Sequence, residues 1–538
     1  MKTYDYIIIG AGSAGCVLAD KLSKNGQHNV LILEAGGTDR RFWVQVPIGY
    51  GKNFFNPKVN WMYDTEANEA LGGRSVYWPR GKVLGGSSAI NAMVYIRGMP
   101  HDFDDWKAAG NTGWGWDDVL PYFKELEDHP WGASDHHGTG GRLRLSDVTD
   151  DVHPLCHLYL KACKEAGFDI TDDFNGPQYE GGGIYQITTH KGVRQSSANA
   201  FLRPALKRPN VDLITGAHVT RILFDGTRAT GIEYHRKGST HTVNASTEVI
   251  LSGGAVNSPQ LLQLSGVGPA ELLKSHGIDV VADLPGVGAN MQDHLGVNYY
   301  YKVNQPTLND ALGPWWGKML QGMRYVFTRR GPLSLSINQG GGFVRGKTGS
   351  PHPDVQLYFQ PVSYTQAPAG ERPMMNPDPY SAIMIGNQPC RPTSRGHLSI
   401  RSSNPFDHPA IHPNYLSTDS DIAAIIDAAR AVQKIVATPS MQGLITEEMA
   451  PVLSEMSDQD IIDDFRKRSG TVFHASCTCM MGPDPKTAVV DETLKVHGIQ
   501  GLRVVDASIF PQVTSGNTNA PAMMVGAKGA DLIMRDVN

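Results

Sequence analysis

The chain has 538 residues, enough at about 150 per domain for three to four domain equivalents, which excludes a lone binding module and leaves room for a large core. Lys plus Arg number 48 against 53 Asp plus Glu, a net charge of −5, so no global cationic field exists and a nucleic-acid partner is not expected. Glycine (59) and proline (34) make up roughly a sixth of the chain, below the share of low-complexity sequence, so a globular, loop-rich protein is expected. Six cysteines are too sparse for a disulfide framework and fit a reducing compartment. No window reaches the roughly 18 consecutive apolar residues of a membrane span, and the first strand-like run begins at Tyr4, leaving no room for a secretory signal. The expected location is the cytoplasm, with peripheral contact at the inner membrane as the variant.

In chain order, residues 4–9 read as a strand, 13–24 as a helix and 30–33 as a second strand, a βαβ unit. From 36 to about 79 the text is aromatic and loop-like, with Phe54, Phe55, Trp61, Tyr63 and Trp78, which suits a lid. Short β-like runs at 211–214, 221–224 and 248–251 predict strands that return to the first unit, followed by a helix at 258–264. Beyond 297 the pattern changes, with strands predicted at 354–359 and 396–400 and a helix at 419–437. The end of the chain predicts a strand at 502–505 and a helix from about Pro521, with Met523, Ala527, Ala530 and Met534 on one face.

Gly10, Gly12 and Gly15 form G-x-G-x-x-G directly after a strand and at the mouth of a helix, and Glu34 closes the second strand 24 residues after Gly10. The glycines permit a tight turn and close approach to a pyrophosphate, which would sit with Ser13 at the helix N-terminus. Glu34 suits a ribose diol and repels a 2′-phosphate. On these residues alone FAD and NAD both remain open.

A second glycine-rich stretch, G-K-V-L-G-G-S-S-A-I-N at 81–91 with Tyr95, Gly98 and Asp104 beyond it, resembles the first signature of the glucose–methanol–choline oxidoreductase family. The stretch G-A-V-N-S-P-Q-L-L-Q-L-S-G-V-G at 254–268 resembles its second, and the likeness spans nearly the whole chain. The resemblance implies an α/β fold: a discontinuous Rossmann-like FAD-binding domain and an α+β substrate domain with an antiparallel sheet. The corresponding limits are 1–155, 195–296 and 465–538 for the FAD-binding parts and 297–464 for the substrate domain. It further implies FAD rather than NAD, and oxidation of an alcohol by hydride transfer to flavin N5. Gly85, Ser87 and Asn91 are the implied flavin contacts in the first signature. Val219 would offer backbone groups to adenine, and Asp506, Ala507 and Thr518 would lie near the cofactor. Some members bind FAD covalently through a histidine; Ile90 stands in that place, so dissociable FAD is expected.

Hydride departs more readily when a base takes the hydroxyl proton, and an imidazole near its neutral form suits that task. By the resemblance, His474 occupies the place of the catalytic base and Asn517, 43 residues later, that of its partner, whose amide can donate to the substrate oxygen. Ala475 follows His474 where family members commonly carry proline. A helix N-terminus near Pro521 would stabilise the anionic reduced flavin. The implied substrate is a neutral primary alcohol or polyol, and the general look is closest to the choline, aliphatic-alcohol, polyethylene-glycol and sorbose dehydrogenases. Electrons would pass to a quinone, a dye or O2. Oxidase and non-redox hydroxynitrile-lyase chemistry are the alternatives, and the oligomeric state stays open.

No metal site is expected. Cys477 and Cys479 lack further ligands, and His153, Cys156, His157 and Cys163 read as a packed helix face. His136 and His137 read as surface. Residues 315–330 are basic and aromatic, the composition of an interfacial helix. Two glycines and a thin polar face favour instead a helix that covers the active site.

Overall fold

The computed structural model describes residues 3–347, 349–364 and 376–536. Residues 6–9 and Val30–Glu34 are all buried, which is why 6–9 and 30–33 read as apolar runs rather than as alternating strands. They pair in parallel, and their neighbours are Val211–Thr215 on one side and the long strand Ser239–Leu251 on the other, also parallel. Arg228–Arg236 and His218–Asp225 extend this sheet as an antiparallel meander, and Leu502–Val504 joins beside the end of Ser239–Leu251. The predicted run at 248–251 is only the buried end of a thirteen-residue strand whose first half is exposed and polar.

The first helix covers Ser13–Leu22, two residues shorter than the spacing predicts, because the Ser23 hydroxyl donates to the Ala19 carbonyl and closes the last turn. The helix predicted at 258–264 begins a turn earlier, at Gly254. Pro259 inside it cannot donate to the Ala255 carbonyl, and the Thr478 hydroxyl donates there instead at 2.7 Å. The helix therefore continues through the proline.

The second sheet is antiparallel throughout, in the order Ile445–Glu448, Leu295–Val303, Ala382–Pro389, Val355–Gln360, Gly340–Val344, Gly181–Ile184. Gly470–Thr471 pairs with the start of Leu295–Val303. The predicted strand at 396–400 lies outside this sheet: His397–Ser399 forms a separate ribbon with Ala410–His412. Helix Asp419–Val436, capped by Thr418, packs its Ile425, Ala428, Ala429 and Val432 into the core of this half. Leu357 and Phe359 belong to that same core, so the alternate residues Gln356, Tyr358 and Gln360 turn the other way. The whole is an α/β architecture with a Rossmann-like parallel core and a second, antiparallel sheet.

The C-terminal helix, Asn519–Arg535, is buried nearly all round. Met523, Ala527 and Ala530 are inside as predicted, while Met534 is half-buried. This helix packs against the first helix through Gly526, where a Cβ would lie 2.7 Å from the Ala14 carbonyl oxygen. The close approach brings two helix N-termini to one place. Gly526→Val should part them, at about 1–3 kcal/mol for forced overpacking. The expected result is a melting temperature several degrees lower together with loss of retained cofactor, read by thermal unfolding with and without added cofactor.

Candidate active site

A cavity of about 760 Å³ runs between the two sheets. Its lining includes Gly10, Gly12, Ser13, Glu34, Ser87, Asn91, Val219, Asp506, Ala507, Thr518, Asn517 and His474. Gly15 and Gly85 do not line it. Gly15 packs on the Gly10 carbonyl, and the Gly85 N–H donates to the Ala11 carbonyl at 2.7 Å, so both shape the turns behind the wall. The two glycine loops touch: Gly86, at φ 53°, approaches so closely that a Cβ there would stand 2.8 Å from Gly12 Cα.

At one end, the Glu34 carboxylate accepts from the Ala11 and Gly36 N–H groups. Burial outweighs these bonds and pushes its pKa from 4.5 up to about 7. In the middle, the first and C-terminal helices present N-termini that carry neither a side-chain cap nor an acidic residue in the first turn. Their free N–H groups make a site for anionic groups. Asp506, by contrast, spends its charge inside the protein. Its carboxylate accepts from the Gly254 and Ser508 N–H groups and from the Ser258 hydroxyl, and so holds the start of helix Gly254–Leu264. Asn91 Oδ1 accepts from Arg194 Nη1 at 2.8 Å. Ile90 presents an alkyl chain to the cavity.

At the other end stand His474 and Asn517. His294 Nε2–H donates to the Cys390 carbonyl at 2.7 Å, and since a carbonyl only accepts, His294 Nδ1 carries a lone pair. That lone pair faces His474 Nδ1 at 2.8 Å, so the His474 proton sits on Nδ1. His474 Nε2 is left as the bare, basic nitrogen. Burial, followed by His294 and Arg80, holds the His474 pKa well below the usual 6.5. Burial likewise pushes His294 down to about 4, so both rings are neutral near pH 7.

A second relay orients the amide. Gln388 Nε2 donates to Gln356 Oε1, Gln356 Nε2 donates to Asn517 Oδ1, and Asn517 Nδ2 is thereby turned toward His474 Nε2 at 3.1 Å. The His474 backbone is also held: its N–H donates to Asp293, which accepts from Tyr415 and Thr471 hydroxyls as well. The dipeptide Asp293–His294 therefore grips His474 by backbone and ring together. Nothing in its local spacing marks it, and the sequence reading missed it along with Gln356, Gln388 and Arg80.

The lid aromatics Phe54, Phe55 and Trp61 line the cavity, whereas Tyr63 and Trp78 are buried behind it. No residue of 315–330 lines it, so that segment is not a cover over the site. His137 is not at the surface: it is buried between Glu127 and Asp173, each accepting from one ring nitrogen, with Arg97 paired to Glu127. Burial raises the thiols of Cys156, Cys163, Cys477 and Cys479, away from the thiolate form that ligation requires.

A glycine-rich βαβ unit, two uncapped helix N-termini and an imidazole–amide pair around one cavity invite comparison with known proteins. The family description GMC oxidoreductase matches residues 4–296 with its N-terminal part and 392–526 with its C-terminal part. The chain belongs to this family. It is 43% identical over 542 residues to the mitochondrial choline dehydrogenase of Homo sapiens, covering 98% of this chain and 89% of that protein. It is 42% identical to alcohol dehydrogenase [acceptor] of Pseudomonas putida, over 99% of this chain and 96% of that one. A formate oxidase from Aspergillus oryzae RIB40, studied for modification of its FAD, superposes with a TM-score of 0.89 at 26% identity over 99% and 98% of the two chains. The chain is thus an FAD-dependent oxidoreductase acting on CH–OH donors. The cavity fits that cofactor: a carboxylate for a diol at one end, open helix N-termini for a diphosphate in the middle, and the imidazole–amide pair at the other.

An ionised, buried Glu34 costs stability in the cofactor-free protein. Because its folded pKa is raised, its favourable contribution is full below pH 4.5 and is lost as pH rises through about 7. Cofactor-free Glu34→Gln should therefore melt above wild type at pH 8 and show no such gain at pH 4.5, while retaining FAD less well. Melting curves at the two pH values check this, and an equal difference at both would contradict it.

Proposed function

We propose that this protein oxidises a neutral primary alcohol or polyol, with His474 as the base and Asn517 as the oxygen-positioning donor. The observation that carries this reading is the bare Nε2 of a neutral, buried imidazole, fixed in that form by His294 and set 3.1 Å from an amide donor. The alcohol proton passes to His474 Nε2 while Asn517 Nδ2 donates to the same oxygen. FAD, when bound, supplies the two-electron acceptor for the hydride. Gly10, Gly12, Ser13 and Thr518 would hold its diphosphate region and Glu34 its ribose. With Ile90 offering no nucleophile, the cofactor would be dissociable.

The lining also bears on the substrate. Among the described residues only two carboxylates line the cavity, Glu34 and Asp506, and both are engaged with backbone N–H groups. The antiparallel sheet lines the cavity with neutral side chains, Asn298, Asn387, Gln360 and Tyr358, and the Arg80 guanidinium lines it too, its Nη1 donating to the Phe473 carbonyl. A quaternary ammonium would meet the partly buried Arg80 guanidinium there and, among the described residues, no lining carboxylate beyond Glu34 and Asp506. Phe54 and Phe473, in edge contact at 5.1 Å, offer ring faces, and these favour choline as the second reading. An acceptor other than O2, such as a quinone or a dye, completes the proposed cycle.

Anaerobic flavin reduction across a panel of alcohols tests both readings. Neutral aliphatic alcohols and polyols should bleach the flavin faster than choline does; choline as the fastest substrate would overturn the neutral assignment. His474→Ala should slow reduction by about 10²- to 10⁴-fold. For the best substrate the rate should stay level from pH 8 to about 6.5 and fall only below it, because protonation of His474 disables the base and its pKa lies under the ordinary value. His294→Leu should cost about 10- to 100-fold, and His294→Gln, whose oxygen can still accept from His474 Nδ1, should restore most of it.

A further inference from the structure

A helix of a globular protein ordinarily turns its apolar stripe inward. Trp315–Thr328 does the reverse. Trp315, Trp316, Met319, Leu320, Met323, Val326 and Phe327 recur at helical spacing and are all exposed, Trp315 at 75% and Phe327 at 83%. Only Gly317 and Tyr325 of this helix are buried. Of the thirteen large apolar side chains exposed among the described residues, these are seven, and two more, Phe42 and Trp43, lie on the short helix Phe42–Gln45. The two elements are joined beneath: Tyr325 packs with Leu333 and with Val46, the residue that ends Phe42–Gln45. The exposed apolar residues are therefore gathered on two linked elements and not scattered.

The charge along these elements is mostly basic, with Asp310 on the adjoining helix Leu308–Leu312 as the nearest exposed acid in the sequence. No acidic residue occurs between Asp310 and Asp354, a stretch that carries Lys318, Arg324, Arg329 and Arg330. In residues 36–63 the one acid, Asp39, is buried against Arg203, while Arg40, Arg41 and Lys52 are exposed. A protein of net charge −5 thus keeps a cationic rim around its most apolar surface. Exposed tryptophans and other apolar side chains on one helix face, with Lys and Arg beside them in the sequence, match the boundary between headgroups and acyl chains. No described helix is long and apolar enough to cross a membrane, so the contact would be peripheral.

We propose that this face, built from Trp315–Thr328 and Phe42–Gln45, rests on the surface of a bilayer rich in anionic lipid. Tyr50 and Phe54, a few residues beyond Val46, line the cavity, so one segment serves both the docking face and the cavity wall. The proposal stands apart from the assignment of base and substrate, and its test reads binding separately from turnover.

The FAD-loaded full chain is mixed with sucrose-loaded vesicles of phosphatidylcholine alone or with a third phosphatidylglycerol, and sedimented at low and at 0.5 M salt. The expected result is binding to the anionic vesicles that weakens in high salt. The triple variant L320E/V326E/F327E should partition about tenfold or more less, with dye-linked alcohol oxidation in solution unchanged, which shows that it is folded. Wild-type protein left in the supernatant, equal binding to neutral vesicles, or a triple variant that binds as wild type would each overturn the proposal. So would a dimer in light scattering that the triple substitution dissociates while vesicles bind neither form, since the face would then be an interface between copies.

Discussion

The chemistry of this site depends on which ring nitrogen of His474 carries the proton. A free imidazole exchanges between tautomers and charges near pH 6.5. Here the Cys390 carbonyl can only accept, so it fixes His294, and His294 in turn fixes His474. The order of donation runs outward from a backbone group and ends at a lone pair in the cavity. Burial does the rest, since a protonated imidazole in this place would face a neutral ring and the Arg80 guanidinium, while the neighbouring Asp293 carboxylate is taken up by the His474 N–H, the Tyr415 and Thr471 hydroxyls and Arg80. Asn517 is fixed by the same logic from the other side, through Gln356 and Gln388. Both relays begin at the end of one strand of the antiparallel sheet, Gln388 on Ala382–Pro389 and Cys390 just after it, while His474 and Asn517 sit on loops. The rigid sheet supplies the precision that loops lack.

The same burial shapes what can enter. Among the described residues, both carboxylates that line the cavity are tied to backbone N–H groups, and this is the ground of the proposed preference for a neutral substrate. Family membership rests on matches across residues 4–296 and 392–526, which include the glycine loops, the helix N-termini and the His474 region. Apart from those two carboxylates, the proposed preference for a neutral substrate rests on a few side chains of the second sheet that line the cavity.

Much of the cofactor half was legible in the sequence because its signals are local. The glycine turn, its helix and Glu34 fall within thirty-four residues, and buried parallel strands announce themselves as apolar runs. His474 and Asn517 were legible through the family's motifs, not through any spacing of their own. What positions them was not legible: His294 lies 180 residues before His474, and Gln356 lies 161 residues before Asn517. Contacts of that kind are made by the sheet and leave no local trace. His137 misled for the opposite reason, since a glycine-rich loop reads as surface, yet Arg97, Glu127 and Asp173 bury it in a network of charges. Residues 315–330 also misled, because an amphipathic helix reads the same whether its apolar face turns inward or outward.

The central claim is the protonation state of one ring. Nitrogen-15 NMR of the protein labelled at histidine, with His474 assigned by its loss in His474→Ala, reports each ring nitrogen directly. At pH 7 the account predicts a protonated, pyrrole-type Nδ1 and an unprotonated, pyridine-type Nε2 for His474. A proton on Nε2, or a ring protonated at both nitrogens, would contradict it.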